Sequence, residues 1–84
     1  MIKVLYFAAL REQLGTASEQ LELDPQLTDL SALTARLQQR GGAWEEALGG
    51  GQSLLVAVNS ELASPQTPLS DGDEVAYFPP VTGG

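Results

Sequence analysis

Only one stretch of this chain carries a helical apolar stripe long enough to cover another element. Leu30, Leu33 and Leu37 fall at i, i+3 and i+7, the spacing of one face of an α-helix. Thr28 stands where an N-cap belongs, and Asp29 occupies the first turn, where a carboxylate complements the helix dipole. Arg36 and Arg40 lie towards the other end, before Gly41-Gly42, so the helix is expected to run to about Arg40. A helix with no second long helix to pack on must lay its leucines over a sheet. The rest of the chain has to supply that sheet.

Alternation marks the strands. Residues 2–8 are rich in β-branched and aromatic side chains, with Ile2, Val4 and Tyr6 facing one way and Lys3, Leu5 and Phe7 the other. Lys3 marks the wetter face. Residues 9–14 suit a short helical turn closed by Gly15, and residues 18–23 alternate polar and apolar as a second strand, making a hairpin with the first. Asp24-Pro25 breaks that strand. Residues 43–48 suit another short helix, Gly49-Gly50-Gly51 a flexible loop, and the apolar run 54–58 a central strand. Asn59-Ser60 turns the chain into a short edge at 61–63, Pro65 and Pro68 keep the next connection irregular, and Asp71-Gly72-Asp73 makes a second turn. The last strand, 74–78, puts Glu74, Ala76 and Phe78 on one face and Val75 and Tyr77 on the other, and Pro79-Pro80 ends it.

This order predicts an α+β fold of the ubiquitin-like β-grasp kind over residues 1–80: a mixed sheet packed on one main helix, followed by a flexible tail, 81–84, that finishes in Gly-Gly. The sheet face carrying Lys3, Leu5, Phe7, Glu74, Ala76 and Phe78 is expected to stay open. Phe7 and Phe78 are then under-buried, and Leu62 on the short edge extends the patch, as at a partner site. A loop covering them is the alternative.

Composition narrows the chemistry further. The 84 residues include no histidine and no cysteine. That removes thiolate nucleophiles, Ser-His dyads, an imidazole base, the usual zinc and haem ligation and any disulfide. Eleven acidic residues against four basic ones give a net charge of −7. Lys3, Arg11, Arg36 and Arg40 are too few for the basic stripe that nucleic acid or an anionic membrane requires. No apolar run approaches the roughly 18 residues of a bilayer span. Residues 1–10 look superficially like a signal peptide, but Arg11-Glu12 closes the run without a cleavage region, so a cytoplasmic location is expected. Asp71-Gly72-Asp73-Glu74 lacks the spacing of a calcium loop, and Gly49-Gly50-Gly51 lacks the Gly-Lys-Ser/Thr ending of a phosphate loop. No metal site is expected.

What remains is Pro79-Pro80-Val81-Thr82-Gly83-Gly84. The four residues after the stiff diproline extend by roughly 13 Å, and two glycines let the backbone thread a tunnel too narrow for any Cβ. A free carboxylate on Gly84 is ionised at neutral pH and inert, so it must be activated before it transfers anything, as by forming an acyl-adenylate with ATP. A frayed, solvated terminus is the alternative.

Taken together, Met1-Ile2-Lys3-Val4-Leu5-Tyr6-Phe7-Ala8 with Leu10-Arg11-Glu12, then Ala57-Val58-Asn59, then the unbroken ending Asp71-Gly72-Asp73-Glu74-Val75-Ala76-Tyr77-Phe78 through Gly84, resemble the small subunit of molybdopterin synthase, a family of ubiquitin-like sulfur carriers. The ending is the most diagnostic part. Thiamine-pathway carriers share the fold and the terminal Gly-Gly but are typically shorter and usually lack the Phe-Pro-Pro approach.

The resemblance implies a cycle. An ATP-dependent adenylating enzyme activates Gly84, sulfur from a donor replaces AMP to give a thiocarboxylate, and the large synthase subunit takes in Pro80, Val81, Thr82 and Gly83. Sulfur then passes to a pterin precursor. It further implies an apolar contact through Phe7, Leu62 and Phe78, two copies of each subunit, and no cofactor held stably by this chain, ATP being used by the activating partner. The excess negative charge predicts basic docking surfaces and salt-weakened association. A thiamine-type or other-pathway carrier, and a ubiquitin-like modifier joined through Gly84 to lysine, are the alternatives.

Overall fold

The first and last strands of the chain lie side by side. In the computed structural model, which describes residues 1–48 and 54–79, β1 (Ile2–Tyr6) and β5 (Glu74–Phe78) pair in parallel, with Val4 opposite Val75 and Tyr6 opposite Tyr77. β2 (Ser18–Leu21) flanks β1 antiparallel, while β3 (Leu55–Val58) and the two-residue β4 (Glu61–Leu62) continue the sheet beyond β5. The strand order is β2-β1-β5-β3-β4, a mixed sheet of the β-grasp kind. β3 is interior, as its apolar run suggests, but the middle position belongs to β5.

The main helix, α2 (Leu30–Gln38), covers one face of this sheet. Leu33 and Leu37 are fully buried and Leu30 nearly so, against Ile2, Val4, Tyr6, Val75 and Tyr77 from the strands. Each such side chain contributes about 1.5–3 kcal/mol by leaving water. Two short helices, α1 (Ala9–Leu14) and α3 (Ala43–Leu48), add Leu10, Ala47 and Leu48 to the same core. Gly15 closes α1 in the left-handed conformation, the one that favours a residue without Cβ.

The N-cap of α2 is Asp29, not Thr28. Asp29 has an extended backbone, and its Oδ1 accepts from the Ala32 N–H at 2.9 Å and from the Ser31 hydroxyl at 2.7 Å. A bridge to Pro68 and the Leu30 N–H donated to Thr67 hold residue 29 out of the helix, so its carboxylate caps the end rather than joining the first turn. The helix also stops at Gln38, short of Arg40. Arg40 turns away to form a bidentate pair with Glu19 at 2.7 and 2.9 Å, its guanidinium carbon 4.4 Å from the centre of the Trp44 ring. β2 is shorter than the alternation of 18–23 suggests: it ends at Leu21, and Asp24 beyond it is gripped by Arg36. The triglycine 49–51 lies outside the described residues.

Tyr6 joins these parts. Its hydroxyl donates to Glu19 at 2.8 Å, its ring meets Trp44 edge-on at 5.3 Å, and it stacks near Tyr77 at 6.1 Å. The Arg40 guanidinium, reinforced by the Tyr6 hydroxyl, holds the Glu19 carboxyl below its ordinary value of 4.5. A carboxyl lowered in the fold adds stability above its unfolded value, and that contribution is lost as pH falls through the lowered one. We therefore expect Glu19→Gln to cost about 1 kcal/mol at pH 7 and to flatten the decline in stability below pH 4.5, measured by urea unfolding across pH.

The turn between β3 and β4 makes a second expectation. Asn59 and Ser60 both take positive φ, 52° and 70°, as a two-residue hairpin loop demands. Asn59 earns its place, since its side chain bonds Asp73 and accepts the Glu74 N–H. Ser60 makes no such contact among the described residues. Ser60→Gly should raise stability by about 0.5 kcal/mol, strain relief outweighing the added freedom of the unfolded chain, and lift the melting temperature by about 2–4 °C.

Candidate functional site

Among the described residues, no element lies over the side chains that alternate away from α2. The strand register sets them in rows across this open face: Lys3 and Glu74; then Leu5, Ala76, Ala57 and Leu62; then Phe78 with Leu55. Phe7 extends the last row, because its N–H donates to the Tyr77 carbonyl at 3.2 Å and carries the β1–β5 pairing one residue further. The Phe7 and Phe78 rings stack at 4.8 Å with 7° between their planes.

Three of these side chains are exposed to an extent unusual for their size: Phe7 at 41%, Leu55 at 42% and Leu62 at 77%. Phe78 is half-buried, partly under Phe7. No described loop folds over them. Ala76, expected on the same open surface, does lie on that face but is nearly buried, at 9%, because Leu5 and Ala57 flank it in register and its methyl is too short to rise between them. Ala57 and Ala76 therefore form a shallow floor, with the aromatic pair and Leu55 standing at one end and Leu62 at its side.

The sequence reading brings Phe7 and Phe78 together correctly, and Leu62 shares their face. Leu55 is the residue it misses. Read as one continuous apolar run, 54–58 hides the alternation that sends Leu55 and Ala57 outward and Val56 and Val58 inward. Pro80, Val81, Thr82, Gly83 and Gly84 lie outside the described residues; Phe78 ends β5 just before them.

The chemistry available on the described body is slight. Burial pushes the Tyr77 hydroxyl up to about 12, against the Thr34 hydroxyl 2.7 Å away. Burial and the Glu19 carboxylate raise Tyr6 as well. Both phenols therefore remain protonated at neutral pH and cannot act as bases. Among the described residues no three acidic side chains converge as metal ligands, and no helix is long and apolar enough to cross a membrane. A groove of about 430 Å³ on the helix side, between Leu21 and Arg40, contains two arginines, but Arg36 is paired with Asp24 and Arg40 with Glu19. The open face thus presents large apolar side chains without a partner among the described residues, and it suits binding.

Residues 4–84 match the ThiS family. The chain is 48% identical to the molybdopterin synthase sulfur carrier subunit of Escherichia coli (strain K12), with 100% of both chains covered. Among solved structures it is similar to small archaeal modifier protein 1 from Haloferax volcanii, at 27% identity and a TM-score of 0.82 over 99% of this chain and 98% of that one. It is also similar to a chain in the complex of subunits 1 and 2 of the molybdopterin-converting factor from Helicobacter pylori 26695, at 30% identity and a TM-score of 0.68 over 99% and 97%. A family match over nearly the whole sequence and end-to-end identity to a sulfur carrier subunit establish that this chain belongs to the ThiS family, alongside the sulfur carrier subunits of molybdopterin synthase.

Proposed function

We propose that this chain is the sulfur carrier of a molybdopterin synthase and works in the cytoplasm. The observation that carries the reading is the exposed Phe7–Phe78 stack at the end of β5, one residue ahead of Pro80–Gly84, in a chain aligned throughout with a sulfur carrier subunit. The body offers a place to bind, and the segment after it offers the acyl group.

The chemistry follows from what the chain lacks. A carboxylate is a poor electrophile, so an ATP-dependent partner enzyme joins Gly84 to AMP with release of pyrophosphate. Sulfur delivered at the sulfide oxidation level then attacks the acyl carbon, and AMP leaves with the bonding electrons. The product is a thiocarboxylate, a soft anionic nucleophile at neutral pH. The large synthase subunit seats Phe7, Phe78, Leu62 and Leu55, receives Pro80, Val81, Thr82 and Gly83 in a narrow channel, and presents the terminal sulfur to the pterin precursor. Stabilisation of each transition state comes from the partners, since this chain has neither histidine nor cysteine to provide it. Two carriers on a pair of large subunits is the assembly we expect, with ATP used by the activating enzyme and no cofactor resident on the carrier.

Similarity to small archaeal modifier protein 1 favours a second reading, in which the same adenylate is captured by a lysine amine of a target protein. Intact mass separates the two. After incubation with activating enzyme, ATP and a sulfur donor, the carrier gains the mass difference of one sulfur for one oxygen, and a chain lacking Gly84 gains nothing. Adducts of protein size alone would overturn the carrier reading in favour of conjugation.

The face makes its own prediction. Phe78→Asp buries a charge in the contact and removes half of the aromatic stack, so binding to the large subunit should weaken at least tenfold, in line with an interface anchor worth about 2 kcal/mol or more. Circular dichroism should show the isolated variant still folded, because Phe78 lies on the side of the sheet away from α2. Calorimetric titration giving unchanged affinity would remove Phe78 from the interface.

A further inference from the structure

Between Tyr6 and Leu10 the chain has three residues in which to leave the sheet and begin a helix. Both ends are fixed in the core, Tyr6 and Leu10 each being 2% exposed. The reversal takes Ala8 to φ 52° and ψ −129°, outside the left-handed helical well and disfavoured for any residue with a Cβ. The other described non-glycine residues at positive φ, Asn59 and Ser60, belong to a hairpin turn that requires it. Elsewhere the described chain places glycine at such positions: Gly15, Gly41, Gly42 and Gly72. Here it places alanine.

If reversal were the whole task of residue 8, glycine would accomplish it without strain. With Tyr6 and Leu10 imposing a positive φ on residue 8, the alanine methyl adds strain but leaves a narrower range of ψ at that φ than glycine would have. That geometry is shared with Phe7. The Phe7 N–H donates to Tyr77 at 3.2 Å, and its carbonyl accepts from the Leu10 N–H at 3.1 Å. Its ring is 41% exposed and, among the described residues, supported on one side by Phe78. The direction of such a side chain is set largely by its backbone.

We propose that Ala8 is a positioning residue, whose methyl narrows the turn imposed by Tyr6 and Leu10, keeps Phe7 stacked on Phe78 and so preforms the apolar ridge of the open face. That the ridge meets the large synthase subunit rests on the reading above; the effect of Ala8 on Phe7 does not. Preforming the ridge removes the ordering of an exposed aromatic from the cost of association.

Two variants test this, Ala8→Gly and a synthetic chain with D-alanine in place of Ala8. D-alanine favours positive φ, so it relieves the strain while keeping the turn narrow, whereas glycine relieves it and widens the turn. Both should melt at or above the parent temperature. In Ala8→Gly the ring-current shifts of Phe7 and Phe78, read by NMR, should move towards averaged values, and the Kd for the large subunit should rise roughly fivefold, about 1 kcal/mol at 1.4 kcal/mol per decade. The D-alanine chain should keep both the ring shifts and the parent Kd. Unchanged ring shifts in Ala8→Gly overturn the proposal, and so does an affinity loss that merely follows a fall in melting temperature. Failure of the parent chain to bind the large subunit would instead sink the functional reading, and the NMR comparison would still decide the role of Ala8.

Discussion

The parallel pairing of β1 with β5 is the contact on which the rest of this structure depends. The two strands come from opposite ends of the chain, and parallel neighbours cannot be joined by a tight turn, so everything between them serves as a crossover. That crossover carries α2, whose leucines meet the inner faces of both strands. The pairing also brings Tyr6 and Tyr77 together at the centre of the core. Each phenol keeps its proton and spends its hydroxyl on a bond, to Glu19 and with Thr34 respectively, so two large polar side chains are buried without leaving an unmatched oxygen among the described residues. On the outer face the same register aligns Leu5 with Ala76 and, one step on, sets Phe7 beside Phe78. Core and open apolar face are two sides of one pairing.

A sheet covered on one face has to do something with the other. Here most of the outer surface is polar or small: Lys3, Ser18 and Gln20 towards one edge, Ala57 and Ala76 as a floor. Apart from the half-buried Leu5 and Leu62 on the edge strand, the large apolar groups described on this face lie at the end where β5 finishes. This asymmetry argues against random scatter of surface hydrophobics, since both phenylalanines of the chain are spent on one stack that the core does not need.

Much of this is written in local patterns. Alternation along 2–7 and 74–78 identifies inward and outward faces, and the Leu30, Leu33 and Leu37 stripe names the helix that covers the inward one. Two kinds of feature escape such reading. Where the deciding partner is distant in sequence, the local signal misleads: Thr28 is as good a cap as Asp29 until Thr67 and Pro68 arrive to hold residue 29 extended, and Arg40 looks like the end of a helix until Glu19 and Trp44 claim it. Where two patterns overlap, the stronger hides the weaker, as the apolar run 54–58 hides the outward Leu55. Ala8 belongs to neither kind. Nothing in its side chain announces a positive φ, which follows only from anchoring Tyr6 and Leu10 on either side of it. The ending 80–84 is the reverse case: the chemistry proposed for it is read from the residue types alone, since these positions lie outside the described residues.

Charge and shape act on this molecule at different ranges. Of the four cationic side chains, Arg36 and Arg40 are absorbed by ion pairs within the fold, so at long range the chain presents an almost unrelieved negative field. Such a field draws the molecule towards basic surfaces in general and weakens within roughly a Debye length, about 8 Å at physiological salt. It does not distinguish an activating enzyme from a synthase subunit. The apolar ridge of Phe7, Phe78 and Leu55 acts only on contact, is insensitive to salt, and admits one orientation because it sits at one end of one face. In the proposed cycle the carrier must visit two partners in turn and place the same few atoms in each. A field common to both encounters, combined with a short-range seat fixed relative to the end of β5, meets that requirement without any catalytic side chain on the carrier.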